Sequence, residues 1–256
     1  MLLAVDIGNT NIKFGVYDGD SLKAKLALPT IRDISAATLA KVAYERLPKA
    51  ITAAIISSVV PEVDSAVSEF IAAGYDTAPI FVRNNFDLGL KIDYTPLEEA
   101  GSDRIVNTFA AVEKYGLPCM VCSFGTALTI DVVTADRTLI GGLIAPGLNT
   151  LAVALEQTTS KLPKVEIEKP AALIQNTTVG SIQSGIVYGY FGLVRELIEK
   201  TKAEAGGAPR VIATGGFASM IAENTGTIDI VDENLLLDGL MMLYARLNPG
   251  EPVVEV

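Results

Sequence analysis

The chain opens on an apolar run, Leu2 to Val5, that ends in one carboxylate, a glycine and small polar residues: Asp6-Ile7-Gly8-Asn9-Thr10-Asn11. An alternating run, Ile12 to Tyr17, follows at once. The stretch therefore reads as a buried strand, a tight turn and a second strand. Such a turn can set backbone N–H groups around phosphate oxygens, and Gly8 lets the main chain come close. An Asp beside bare phosphate repels it, so Asp6 would face a bound metal–phosphate. An ordinary hairpin with a glycine turn accounts for this stretch alone equally well.

A second stretch has the same shape. Val121-Cys122-Ser123-Phe124-Gly125-Thr126-Ala127 is again an apolar run, a glycine and a small polar residue. An offset of 117 residues aligns Asp6 with Ser123, Gly8 with Gly125, Ile12 with Thr129 and Leu22 with Leu139, without a gap. Each copy continues into a turn (Asp18-Gly19-Asp20, then Thr134-Ala135-Asp136) and a third strand. The halves read as two versions of one hairpin unit. Two such turns, one per domain, would grip a polyphosphate from both sides. A third glycine turn, Thr214-Gly215-Gly216, follows an apolar strand and opens a helix.

The length of 256 residues suits one large or two small domains, and with half the residues hydrophobic the core can be full. A net charge of −10 argues against nucleic acid and anionic membrane surfaces as partners. The chain has no histidine, so a general base must be a carboxylate or, failing that, Lys, Tyr or Cys. Cys119 and Cys122 are its only cysteines. They cannot complete a zinc site in one chain, and three residues apart on a strand they point to opposite faces. Buried, reduced thiols in a cytoplasmic protein are the expectation. No basic leader precedes the first strand, and Pro146 and Asn149 interrupt the apolar stretch from Ile140 to Leu155, so neither a signal peptide nor a membrane span is expected.

Along the chain, helices are predicted from the Ser35 cap to about Leu47, from Pro61, over Glu98–Lys114, over Leu148–Gln157, from Thr177 or Thr178 to Lys202, over 216–223 and over Asn234–Leu247. Further strands are predicted at 51–57, 79–82, 119–124, 127–134, 137–145, 164–168, 210–213 and 227–231. Residues 84–97 read as irregular. Gly185, Gly189 and Gly192 fall at helical spacing on one helix, where glycine is unfavourable, and so suggest close packing, as across a dimer.

Asp103 and Arg104 follow Gly101-Ser102 at a predicted helix start. Spacing alone fits a helix-end carboxylate with a solvated Arg. The functional reading makes Asp103 a general base and Arg104 a clamp for an anionic group. A wider set then comes into view. Asp6 to Thr10, Ser57-Ser58-Val59-Val60-Pro61, Gly101 to Arg104, Phe124 to Ala127, Ile144-Ala145-Pro146-Gly147, Leu162-Pro163, Asn176 to Thr178 and Thr214 to Gly216 together resemble, in order, the type III pantothenate kinases. These belong to the superfamily of acetate and sugar kinases, Hsp70 and actin.

The resemblance implies an α/β fold of two duplicated ribonuclease-H-like (actin-like ATPase) domains with mixed sheets, here expected over 1–116 and 117–256. It implies ATP between the domains, a homodimer with sites at its interface, and phosphorylation of pantothenate as the first step of coenzyme A synthesis. By the same resemblance Asp6, Ile7, Gly8, Asn9, Thr10, Asn11, Ile12 and Lys13 form the phosphate loop, with Asp6 holding Mg2+ through water. Gly125, Thr126, Gly215 and Gly216 become further nucleotide contacts. Tyr94, Gly101, Ser102, Asp103, Arg104 and Thr178 become pantothenate contacts, with Asp103 as proton acceptor. The family usually has Asp where this chain has Ser123, and that Asp ligates a monovalent cation, K+ or NH4+. Two other readings stay open: a kinase of the superfamily with another acceptor, and a non-catalytic relative that binds ligand as an accessory or regulatory protein.

Overall fold

A computed structural model describes residues 1–249. These form two compact units. Of the described residues, the first comprises Met1–Leu90, Tyr94–Lys114 and 234–249; the second comprises Lys91–Asp93 and Tyr115–Glu233.

The first unit is built on β1 (Leu2–Ile7), β2 (Asn11–Asp18), β3 (Ser21–Pro29), β4 (Ala53–Ser58) and β5 (Ile80–Phe81), in the order β3-β2-β1-β4-β5. The hairpin strands are antiparallel, whereas β4 runs parallel to β1 and β5 to β4. Strand alternation sends Leu3, Val5 and Ile7 to one face, into a core with α1 (Ala36–Ala43) and α2 (Pro61–Tyr75). The other face carries Ala4, Asp6, Lys13 and Gly15. It is covered in part by the final helix, labelled α7 (Leu235–Leu247), which packs on β1, β2 and β4. That helix follows the second unit in sequence but is held in the first. Tyr17 Oη donates to Asp238 at 2.6 Å, and Gly239 lies against Val106 and Ala110 of α3 (Ser102–Tyr115) so closely that a Cβ would meet the Val106 carbonyl at 2.9 Å.

In the second unit β6 (Lys91–Ile92), β7 (Cys119–Phe124), β8 (Ala127–Val133), β9 (Thr138–Pro146), β10 (Arg210–Thr214) and β11 (Ile230–Val231) take the order β11-β10-β7-β8-β9-β6. Apart from the added β6, this repeats the first sheet strand for strand, with the same parallel and antiparallel pairs. The fold is thus a duplicated α/β plan with mixed sheets. One face packs its core against α4 (Leu148–Thr158), α5 (Thr178–Ala205) and α6 (Ala218–Thr225). Cys122 enters that core, and both cysteines are free and buried.

Several expectations are corrected. The ungapped repeat fails by one residue. Asp6 stands opposite Lys13, which the offset would carry to Ile130, yet Ser123 stands opposite Thr129. Four residues lie between the last pair of the first hairpin, Ile7 and Ile12, and three between Phe124 and Leu128. The helix expected from Glu98 begins at Ser102 instead, after a single 3-10 turn at Leu97–Glu99. Asn84 causes the break by donating to the carbonyls of Leu97 and Ala100. No strand forms at 164–168; there the Glu166 carbonyl accepts from the Gln183 side chain rather than from a neighbouring strand. The irregular stretch 84–97 includes β6, which pairs with β9. Among the described residues no helix is long and apolar enough to cross a membrane.

Candidate active site

The first hairpin turn is closed from within and braced from outside. The N–H of Gly8 donates to the Asn11 carbonyl at 3.0 Å, while Thr30 Oγ1 donates to the Gly8 carbonyl at 2.6 Å. The Gly8 amide is therefore committed to its own turn, as is that of Gly125, which donates to the Ala127 carbonyl. Any phosphate contact must come from the residues that follow; Asn9, Thr10 and Asn11 are exposed. Ile7 and Ile12 are core residues that hold the turn by packing.

Asp6 is the anomaly of this hairpin. It is only 5% exposed, on a central strand whose other residues are apolar. Its carboxylate lies 3.3 Å from Lys13 Nζ on the paired strand, and the Lys13 side chain is 42% exposed. Burial pushes the Asp6 carboxyl up to about 6 against the pull of Lys13, and the nearby Asp103 charge pushes the same way.

Asp103 sits in the first turn of α3, at the helix end that favours negative charge. Its Oδ1 accepts from the Arg104 N–H at 2.8 Å. The carboxylate folds back over Gly101 so closely that a Cβ there would lie 2.6 Å from Oδ1. Burial raises its pKa, opposed by the Arg104 N–H and charge. The buried Arg104 donates from Nη1 to Tyr94 Oη at 3.2 Å, and its guanidinium lies 5.4 Å from the Tyr94 ring centre. Ser102 Oγ lies 2.9 Å from Ser57 Oγ. One turn beyond Asp103, the buried Asn107 Oδ1 has no hydrogen-bond partner. The first unit thus brings together Asp6, Lys13, Tyr94 and Gly101–Arg104. It adds Thr30 and Ser57, which sequence reading did not assign; both act through contacts distant in sequence, which leave no local signal.

The second unit carries the other predicted positions. Ser123 stands in a row of neutral hydroxyls, in register with Thr129 on one side and Thr214 on the other. Asp131 pairs with Val121, one step along the same face. The Gly125-Thr126 turn is clamped by the start of α4: Gly147 N–H and Thr150 Oγ1 both donate to the Thr126 carbonyl, at 3.0 and 2.6 Å. Gly215, at φ +96°, passes so near the end of β7 that a Cβ would meet the Phe124 carbonyl at 2.5 Å, while Gly216 faces open space. Thr178 begins α5, whose N-cap Thr177 accepts from the Gly180 N–H at 3.1 Å.

Among the described residues no three His, Cys, Asp or Glu side chains gather to hold a metal. A single buried carboxylate, Asp6, suits an ion that takes most of its ligands from water and phosphate oxygens, as Mg2+ does. The row formed by Ser123, Thr129 and Thr214 carries no charge.

The fold is shared with solved structures of distant sequence. The inorganic polyphosphate/ATP-glucomannokinase from Arthrobacter aligns with a TM-score of 0.50 at 14% identity, over 96% of this chain and 99% of that one. The ethanolamine utilization protein EutJ from Carboxydothermus hydrogenoformans aligns with a TM-score of 0.53 at 14% identity, over 94% and 88%. Sequence narrows the class. The family model of type III pantothenate kinase matches residues 2–200. The type III pantothenate kinase of Geobacter sulfurreducens is 44% identical over 253 residues, 96% of this chain and 99% of that one. That of Dehalococcoides mccartyi is 39% identical over 249 residues, 95% and 96%. The chain belongs to the type III pantothenate kinase family.

The buried Asp6 gives a prediction for the ligand-free protein. Its folded pKa, about 6, exceeds the ordinary 3.8, so between these values the folded state binds more protons than the unfolded state. The Asp6 contribution then falls as pH rises through that window, by on the order of 3 kcal/mol once both states are ionised. Asp6→Asn should raise stability at pH 7.5 and flatten the decline between pH 4 and 6, read from urea unfolding. An unchanged pH profile in the variant would refute this.

Proposed function

We propose that the chain transfers the γ-phosphoryl group of ATP to the primary hydroxyl of pantothenate, the first step of coenzyme A synthesis. The observation that carries this reading, beyond family membership, is the pairing of Asp103 with Arg104 in the first turn of α3, beside the buried Asp6. The substrate hydroxyl oxygen attacks the γ-phosphorus, the bond to the bridging oxygen breaks, and ADP leaves. Asp103 accepts the hydroxyl proton. Arg104, oriented by Tyr94, binds the pantothenate carboxylate as a planar donor. Asp6 would hold Mg2+ through water, and the ion would neutralise charge on the phosphates. Asn9–Asn11, Lys13, Thr126, Gly215 and Gly216 are assigned to the nucleotide, while Gly8 and Gly125, whose amides close their own turns, let the main chain pass close to it. We place the reaction in the cytoplasm, which suits two free thiols.

Asp103→Asn should lower turnover about 10²–10⁴-fold with the fold intact, measured by a coupled ADP-release assay. Native turnover in that variant would overturn the assignment of the base. Offering ATP with a panel of acceptors and identifying the product separates pantothenate from other acceptors of the superfamily.

The active form is proposed to be a homodimer. An apolar groove of about 480 Å³ runs between α4 and α5, lined by Leu151, Leu155, Ile182, Ile186 and Tyr190. Gly185, Gly189 and Gly192 on α5 have open space where a Cβ would stand. Thr178 would complete a site with the partner subunit's Asp103. Sedimentation at micromolar concentration should give a dimer; a fully active monomer would refute it.

Ser123 favours a second reading, a non-catalytic accessory protein. A hydroxyl gives a monovalent cation a dipole where a carboxylate gives a full charge. The intact set at Asp6, Asp103 and Arg104 supports catalysis without that ion. Pantothenate phosphorylation by the native chain should be flat across a potassium series at constant ionic strength, while Ser123→Asp should become potassium-dependent. An inactive native chain rescued by Ser123→Asp would favour the accessory role.

A further inference from the structure

The base assigned to Asp103 works only if its carboxylate is held in place, and the start of α3 is joined to the sheet by a hydrogen bond between Ser102 and Ser57. Ser57 lies on β4 in register with Asp6 on β1, so the two side chains leave the sheet on one face. Ser57 is fully buried, and its Oγ is 2.9 Å from Ser102 Oγ. Ser102 Oγ in turn lies 3.1 Å from the Ser58 carbonyl. A hydroxyl has one proton to donate and a carbonyl can only accept. Ser102 therefore donates to Ser58, and Ser57 donates to Ser102. The result is a directed chain, Ser57 to Ser102 to the Ser58 carbonyl, spanning 45 residues of sequence.

Ser102 immediately precedes Asp103. The turn that carries Asp103 is closed internally, because the Arg104 N–H is shared between Asp103 Oδ1 and the Gly101 carbonyl. The serine pair ties this turn to the end of β4. We propose that Ser57 is a positioning residue for phosphoryl transfer, acting through Ser102 to fix the Asp103 carboxylate relative to Asp6. The proposal rests on the reading of Asp103 as proton acceptor. Packing alone does not call for this pair, since replacing both partners of a buried hydrogen bond by apolar groups is often nearly neutral for stability. A small displacement of a base, by contrast, costs rate steeply.

The test is steady-state kinetics on Ser57→Ala, Ser102→Ala, Asp103→Asn and the combined Ser57→Ala/Asp103→Asn chain, each with a thermal melt. Ser57→Ala should lower kcat about tenfold while KM for ATP stays within twofold of native. In the Asp103→Asn background the same change should cost the residual rate nothing further, because the group it positions is already gone. A twofold or smaller loss of kcat in Ser57→Ala, with Asp103→Asn inactive, would overturn the latch and leave the base standing. A further tenfold loss in the combined variant would also overturn it, by showing that Ser57 acts apart from Asp103. Native turnover in Asp103→Asn would overturn the base assignment and the latch with it. Should Ser57→Ala fail to fold, Ser102→Ala carries the same comparison with the same expected loss.

Discussion

The site depends on a carboxylate buried where water would normally solvate it. Asp6 stands next to the end of an otherwise apolar central strand, and the cation paired with it, Lys13, is nearly half exposed. A partly solvated lysine does not offset full burial, so the carboxyl stays well above the ordinary range. Asp103, half-buried, adds a second carboxylate close enough to be felt by the first. Two such groups disfavour the ligand-free state as charged, and on the proposed reading an ion held through water by Asp6 would offset that cost. The arrangement makes sense as a receptor for positive charge held between phosphates. It makes little sense as a stabilising feature of the fold.

The duplication sharpens that reading. Both sheets have the same strand order, and in both a glycine turn closes the first hairpin. In the first copy the pair before the turn is Asp6 with Lys13; in the second it is Ser123 with Thr129, extended by Thr214. One copy supplies charge and the other neutral hydrogen-bonding groups. The shorter second turn is gripped by Gly147 and Thr150 at the start of α4, which fixes a backbone rather than a charge. The same scaffold has thus been given two chemical tasks, and residue type distinguishes them more clearly than shape does.

Much of this was legible in the sequence because it is local. The strands, the glycine turns, the caps at Ser35 and Thr177 and the Gly101–Arg104 segment announce themselves within a few residues. What was not legible depends on distant partners. Helix α3 starts late because Asn84, far upstream, takes the carbonyls of Leu97 and Ala100. The alternating segment Lys164-Val165-Glu166-Ile167-Glu168 has strand character but pairs with no strand. Helix α7 returns to the first unit because Asp238 meets Tyr17 and Gly239 admits α3. The one-residue slip of the repeat is hidden in a turn, where no periodicity records it.

If Asp103 is the base, as proposed, its placement matters alongside its basicity. A loose phosphoryl-transfer transition state puts little positive charge on the attacking oxygen until late, so the barrier responds weakly to the basicity of the acceptor. It responds strongly to where the hydroxyl points. The first turn of α3 reflects that ordering. The helix end and the Arg104 N–H favour the ionised carboxylate, burial opposes them, and the net shift is upward. Basicity is therefore left as a compromise among opposing terms. Position is not: Gly101 gives the carboxylate room to fold back, Ser102 ties the turn to β4, and Tyr94 holds the neighbouring guanidinium. On the proposed reading, a site that specifies location this closely aims the hydroxyl whose proton Asp103 takes.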